Sequence, residues 1–209
     1  MKVVALNGSP KKNGNTAHAL KIVTAELEKE GIEVEILQVG SKEIKGCTGC
    51  GACSKRQDEK CIIKGDEVDN FIQKMKEADG ILLGSPVYYA DLNGTMKSFL
   101  DRAFYVAGAN GGLFRHKVGT AVVTVRRTGG MQAFQSLNHY LQYSEMFIPT
   151  ANYWNVLHGG SPGEVLKDEE GVQIARVLGK NMAFLIKAVN ASRNQLPVRE
   201  DKVWTSFIR

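Results

Sequence analysis

The chain has 209 residues, 43% of them hydrophobic, with 27 Lys+Arg against 22 Asp+Glu for a net charge of +5. This is the composition of an ordinary globular domain long enough to bury a real core, which excludes low-complexity and fibrous classes. No apolar run approaches the ~18 residues a bilayer span needs, and the dispersed basic residues form no arm or nucleic-acid motif, so neither membrane nor nucleic acid is expected as a partner.

The opening MKVVALNGSP reads directly as a strand and a turn. It lacks the charged, apolar, small-residue pattern of a secretory leader, which predicts a cytoplasmic protein. Residues 3–6 form a short apolar strand ended by Asn7-Gly8. Residues 15–29 carry helical spacing at Ala19, Ile22, Val23 and Leu27, and Gly31 ends that helix. Residues 33–39 alternate as a second strand. A Gly-rich, cysteine-rich loop follows, then a helix over 66–78. The wholly apolar run 80–84 predicts a central third strand. A loop, SPVYYADLNG, leads into a helix over 95–106. A fourth strand is expected at 118–125, a helix at 131–143, a fifth strand within 146–157 and a last helix at 168–189. Strand and helix alternate five times, which predicts an α/β fold with a five-stranded parallel sheet and helices on both faces. One domain is expected over 1–195, with a cysteine-rich insertion at 46–63 and a C-terminal arm at 196–209.

In open α/β sheets, ligands bind at the carboxyl ends of the strands. The first such loop, Gly8-Ser9-Pro10-Lys11-Lys12-Asn13-Gly14-Asn15-Thr16, precedes a helix N-terminus with its unpaired N–H groups and partial positive charge. Hydroxyl, amide and ammonium groups there suit a phosphate monoester. The spacing matches neither the ATPase P-loop nor the dinucleotide fingerprint. A plain polar turn capped by Asn15 or Thr16 is the simpler alternative.

All four cysteines fall at 47, 50, 53 and 61, as C-x₂-C-x₂-C-x₇-C. A compact thiolate array between glycines suits an iron–sulfur cubane, one thiolate per iron. Zinc is a rival, although structural zinc favours two separated knuckles. Free thiols with no metal are the other. The four histidines show no ligand spacing, and no Ser–His–Asp arrangement is present.

Four segments, NGSPKKNGNTA, GCTGCGACSKRQDEKC, GSPVYYADLNGTMKSFLDR and VRRTGGMQ with the GEVLKDEEGVQIARVLGKN helix entry, resemble the NAD(P)H-dependent FMN reductase superfamily and, within it, the iron–sulfur flavoproteins. The likeness runs from residue 7 to about residue 181. It implies a flavodoxin-like, doubly wound fold. It also implies that Ser9, Lys11, Asn15, Thr16 and Ala17 hold the FMN phosphate. Pro86, Val87, Tyr88 and Tyr89 would lie along the isoalloxazine ring, with Arg127, Thr128, Gly129 and Gly130 at its other edge. Taken alone, the tyrosines also read as core or interface aromatics, and the glycines as a plain turn. Cys47, Cys50, Cys53 and Cys61 would hold a 4Fe–4S cluster. The implied activity is electron transfer from NAD(P)H or ferredoxin to a small-molecule or protein acceptor. A homodimer or tetramer is implied too, with Tyr88, Tyr89 and the C-terminal arm as interface pieces. A flavodoxin-type carrier without its own substrate and a flavin or quinone reductase lacking a cluster are the alternatives.

Overall fold

The structure is a computed structural model that describes residues 1–208. Five parallel strands make the body of the sheet: β1 (Lys2–Asn7), β2 (Glu33–Gln38), β3 (Gly80–Tyr88), β5 (Val118–Val125) and β6 (Val156–His158), in the order β2-β1-β3-β5-β6. A two-residue strand, β4 (Asp91–Leu92), pairs antiparallel with the end of β3. The sheet therefore has six strands where the sequence predicts five. With β4 set aside, the strand order is that of the flavodoxin-like doubly wound sheet.

Side-chain alternation along β1 feeds two cores. Val3 and Ala5 join one apolar cluster with α1 (Asn15–Lys29) and α6 (Glu169–Ala191). Val4 and Leu6 join the other, with α3 (Val68–Glu77), α4 (Gly94–Ala109) and α5 (Gly130–Tyr143). Burial on both faces explains why β1, β3 and β5 read as continuous apolar runs. Gly31 follows the end of α1 with φ +75°, the left-handed conformation expected after a helix terminus.

Three differences from the sequence reading bear on function. First, β3 runs on through Pro86 and Tyr88 because β4 pairs back onto it through Val87–Leu92 and Tyr88–Asp91. Second, a short helix, α2 (Ala52–Arg56), lies inside the cysteine segment, where too few residues separate the cysteines for a periodic signal. Third, the last strand is only Val156–His158. Phe147 makes a single bridge to Val118, and Pro149, which has no N–H to give a ladder, lies between the two. Among the described residues no helix is long and apolar enough to cross a membrane.

At the carboxyl edge the backbones pack closely. Gly8 N–H donates to Gly84 O at 2.8 Å, and the N–H groups of Val39 and Gly40 both donate to Asn7 O, at 2.9 and 3.0 Å. A Cβ on Gly40 would lie 2.1 Å from Gly8 O. Backbone cannot yield there as a flexible side chain would. Gly40→Ala is therefore expected to cost about 2–3 kcal/mol of unfolding free energy in urea denaturation. A loss under about 0.5 kcal/mol, the range of a neutral surface substitution, would show the approach to be unimportant.

Candidate functional site

The loops after β1, β3 and β5 meet at one edge of the sheet, as parallel strands require. In the first loop Ser9 is buried. Its N–H donates to Asn7 Oδ1 at 3.0 Å, and its hydroxyl accepts from Lys11 N–H at 3.1 Å. That leaves the Ser9 O–H proton available to a ligand. Gln38, at the end of β2, donates to Ser9 O at 2.6 Å and accepts from Asn7 Nδ2 at 2.8 Å. The N-cap of α1 is Gly14, which offers no side-chain acceptor to the first-turn N–H groups of Asn15, Thr16 and Ala17. The alternative of a plain turn capped by Asn15 or Thr16 is not what forms: both residues lie inside the helix, and their side chains are engaged elsewhere. Asn15 donates to Gly159 O at 3.0 Å and accepts from Gly163 N–H at 2.8 Å, tying α1 to the loop after β6. Thr16 Oγ1 pairs with Thr124 Oγ1 of β5 at 2.8 Å. Lys11 is exposed, and no acidic residue lies between Gly8 and Ala17. The loop offers donors and positive charge, the chemistry of an anion site.

In the second loop Pro86 and Val87 are half-buried, while Tyr88 is 46% exposed and Tyr89 fully exposed. Tyr89 and Ala90 form the β3–β4 turn with φ of +48° and +61°. Two left-handed non-glycine residues in succession match a two-residue hairpin turn. They cost about 1–2 kcal/mol each, and strain of this kind clusters at ligand sites. Behind the turn, Ser85 Oγ accepts from Asn93 N–H at 3.0 Å, and Asn93 Oδ1 caps α4 through Thr95 and Met96 N–H at 2.9 and 3.2 Å.

The third loop leaves β5 at Arg126. Arg127 and Thr128 are exposed, Gly129 is the N-cap of α5 with φ +85°, and Gly130 begins the helix. A Cβ on Gly129 would lie 2.9 Å from Ala90 Cα and 3.3 Å from Val87 Cγ1. Gly129 thus lets the second and third loops touch. All three predicted segments converge, with the side chains of Asn15 and Thr16 bracing the loops.

The cysteine segment lies along α4, where a Cβ on Gly46 would sit 3.7 Å from Ser98 Oγ. Cys47, Cys50, Cys53 and Cys61 all line one cleft with Arg102, Tyr105 and Val106 of α4. Cys47 and Cys50 are exposed at its mouth, Cys53 and Cys61 are buried, and no disulfide joins any of the four. Gly49 and Gly51, with φ of +64° and +66°, turn the chain between successive cysteines. Among the described residues, no three His, Cys, Asp or Glu side chains converge closely enough to hold a single metal ion. A cubane does not ask this of its ligands, since each thiolate binds a different iron.

Arg102 escaped the sequence reading. It is 1% exposed, and its five N–H donors all have acceptors: Cys61 Sγ and Lys45 O at 3.3 Å, Ile63 O at 2.9 Å, and the Asp66 carboxylate, met by Nη1 and, at 3.2 Å, by Nη2. Burial opposes its charge, yet the Asp66 and Cys61 contacts outweigh that and hold the guanidinium above its ordinary pKa. The available signal was its spacing: Arg102 lies three residues after Phe99, on the apolar stripe of α4.

The thiols differ in chemistry. The backbone N–H of Ala52 and the Thr48 hydroxyl pull the Cys50 thiol below its usual pKa, whereas burial pushes the Cys53 thiol up. The thiolate is the reactive form. In metal-free protein near pH 7.5, iodoacetamide should alkylate Cys50 on the order of tenfold faster than Cys53, read by peptide mass mapping. Equal rates would contradict the described cleft.

The NADPH-dependent FMN reductase family model matches residues 1–160. An iron–sulfur flavoprotein of Methanocaldococcus jannaschii is 37% identical over 196 residues, covering 90% of this chain and 99% of that protein. Among solved structures, RosB with a bound 8-demethyl-8-formylriboflavin-5'-phosphate superposes with a TM-score of 0.71 at 17% identity, over 100% of this chain and 94% of that one. A flavodoxin from the domain Archaea superposes with a TM-score of 0.58 at 16% identity, over 90% and 99% of the two chains. The uncapped helix at the carboxyl edge, the strained tyrosine turn and the match over most of the chain agree, and the chain belongs to the NADPH-dependent FMN reductase family, among relatives that are iron–sulfur flavoproteins.

Proposed function

We propose that the chain is an FMN-dependent oxidoreductase whose four cysteines carry a 4Fe–4S cluster, passing electrons from NAD(P)H or reduced ferredoxin to a small-molecule or protein acceptor. The observation that carries this reading is the meeting of the three loops at one sheet edge, beside a helix, α4, that also lines the cysteine cleft.

The residues fit the two groups. For a flavin phosphate there are the uncapped first-turn N–H groups of Asn15, Thr16 and Ala17, the Ser9 hydroxyl and the Lys11 ammonium. Asn15 and Thr16 would bind through their backbone, since their side chains brace the loop. Pro86, Val87, Tyr88 and Tyr89 would orient the ring, and Arg127, Thr128, Gly129 and Gly130 would approach its other edge. Cys47, Cys50, Cys53 and Cys61 would hold the cluster, and Arg102 offsets part of their negative charge. When bound, FMN supplies one- or two-electron exchange and a cluster supplies one-electron exchange. The protein's part is to bind, orient and exclude water. Exposure of Tyr88 and Tyr89 beside this edge supports a homodimer or tetramer that covers them.

One observation favours a second reading, a flavin or quinone reductase with free thiols: the family model that matches residues 1–160 is that of an NADPH-dependent FMN reductase, a description that names no cluster. Protein purified without oxygen decides between the two. The first reading expects flavin absorption bands, a broad visible shoulder, and about four irons and four sulfides per chain. Flavin bands without iron would establish the second. Colourless protein that regains neither group on reconstitution would overturn both.

A further inference from the structure

We propose that Arg102 is a positioning residue that fixes Cys61 in the cysteine cleft and raises the reduction potential of the group held there. This inference rests on the reading of the array as a 4Fe–4S site.

Arg102 reaches the array segment at both ends. Lys45 O, just before the first cysteine, accepts from Nη1, while Ile63 O and Asp66, just after the last, accept from Nη2 and both Nη atoms respectively. One side chain on a rigid helix therefore closes the segment around the cleft. The remaining donor, Nε, is aimed at Cys61 Sγ at 3.3 Å. An ion pair with Asp66 would by itself give no reason to direct Nε at sulfur. Cys61 and Arg102 are 9% and 1% exposed, so water screens this contact little.

The electrical consequence follows from charge. Reduction adds one electron to a group already surrounded by thiolates. A fixed cation donating to one of the ligand sulfurs stabilises the added negative charge, and hydrogen bonds to sulfur and net charge are known levers on such potentials. Asp66 acts the other way. Its carboxylate meets the same guanidinium and cancels part of the field that Cys61 receives. The two residues should thus shift the potential in opposite directions, which a merely structural clamp would not do.

The test is an anaerobic redox titration of reconstituted holoprotein, followed by electron paramagnetic resonance. Wild type is compared with Arg102→Gln and Asp66→Asn, and iron content and FMN binding are measured on each. At the wild-type midpoint, the ratio of reduced to oxidised cluster should fall about tenfold in Arg102→Gln and rise in Asp66→Asn. Tenfold corresponds to about 59 mV for a one-electron couple. If Arg102→Gln fails to fold or to take up iron, Asp66→Asn decides alone: an upward shift supports the inference, and no shift or a downward one overturns it. Unshifted variants on a wild type holding about four irons overturn the role of Arg102 alone. Wild type that takes up no iron overturns the array reading, and this inference with it.

Discussion

The close backbone approach at the carboxyl edge is the constraint on which the site depends. β1 lies between β2 and β3, and the chain leaving it is held from both sides: Gly84 O receives Gly8 N–H, while Asn7 O receives the N–H groups of Val39 and Gly40. No side chain fits between Gly8 and Gly40. The first loop has no freedom to swing out, so its donors point where the sheet edge puts them. Thr16 against Thr124 and Asn15 against Gly159 and Gly163 extend this bracing to β5 and the loop after β6. The result is a preorganised rim whose cost is met during folding, not on binding.

A second organising element is α4. Its N-cap, Asn93, is bonded to Ser85 of β3, and only the two residues of β4 separate that cap from the strained Tyr89-Ala90 turn. From Gly94 to Arg102 is roughly 12 Å along the helix at ~1.5 Å per residue. Over that distance the helix passes from the aromatic loop to the cysteine cleft. One rigid rod thereby fixes the spacing of two candidate sites whose residues lie apart in sequence. The buried Arg102–Asp66 pair at its middle is an expensive feature in a core otherwise built of Phe99, Leu100 and Ala103. Its contacts with both ends of the array segment give that burial a purpose.

Much of this was legible in the sequence, for physical reasons. The apolar runs at β1, β3 and β5 are continuous because both sheet faces are covered, and that pattern survives without any knowledge of neighbours. The cysteine spacing and the polar loop after β1 are local signals too. What failed to show was whatever depends on an unusual backbone conformation or on partners distant in sequence. The β4 pairing needs Tyr89 and Ala90 to take left-handed conformations that their side chains do not advertise. The last strand shrank to Val156–His158 because no local pattern specifies where pairing with β5 begins. Asn15 and Thr16 looked like phosphate donors, yet their side chains are bonded to Gly159, Gly163 and Thr124, contacts made across more than a hundred residues. Arg102 does not stand out in the sequence for the same reason: its acceptors at 45, 61, 63 and 66 come together only in the fold.

The central claim is that the edge formed by these three loops binds FMN and recognises its phosphate. Parallel titrations of the apoprotein with FMN and with riboflavin, followed by quenching of flavin fluorescence, test it most directly, because the two ligands share the ring and differ only in the phosphate. The account predicts that FMN binds at least on the order of a hundredfold more tightly, the worth of about two charge-assisted hydrogen bonds. Equal affinities, or no binding of either flavin, would contradict it.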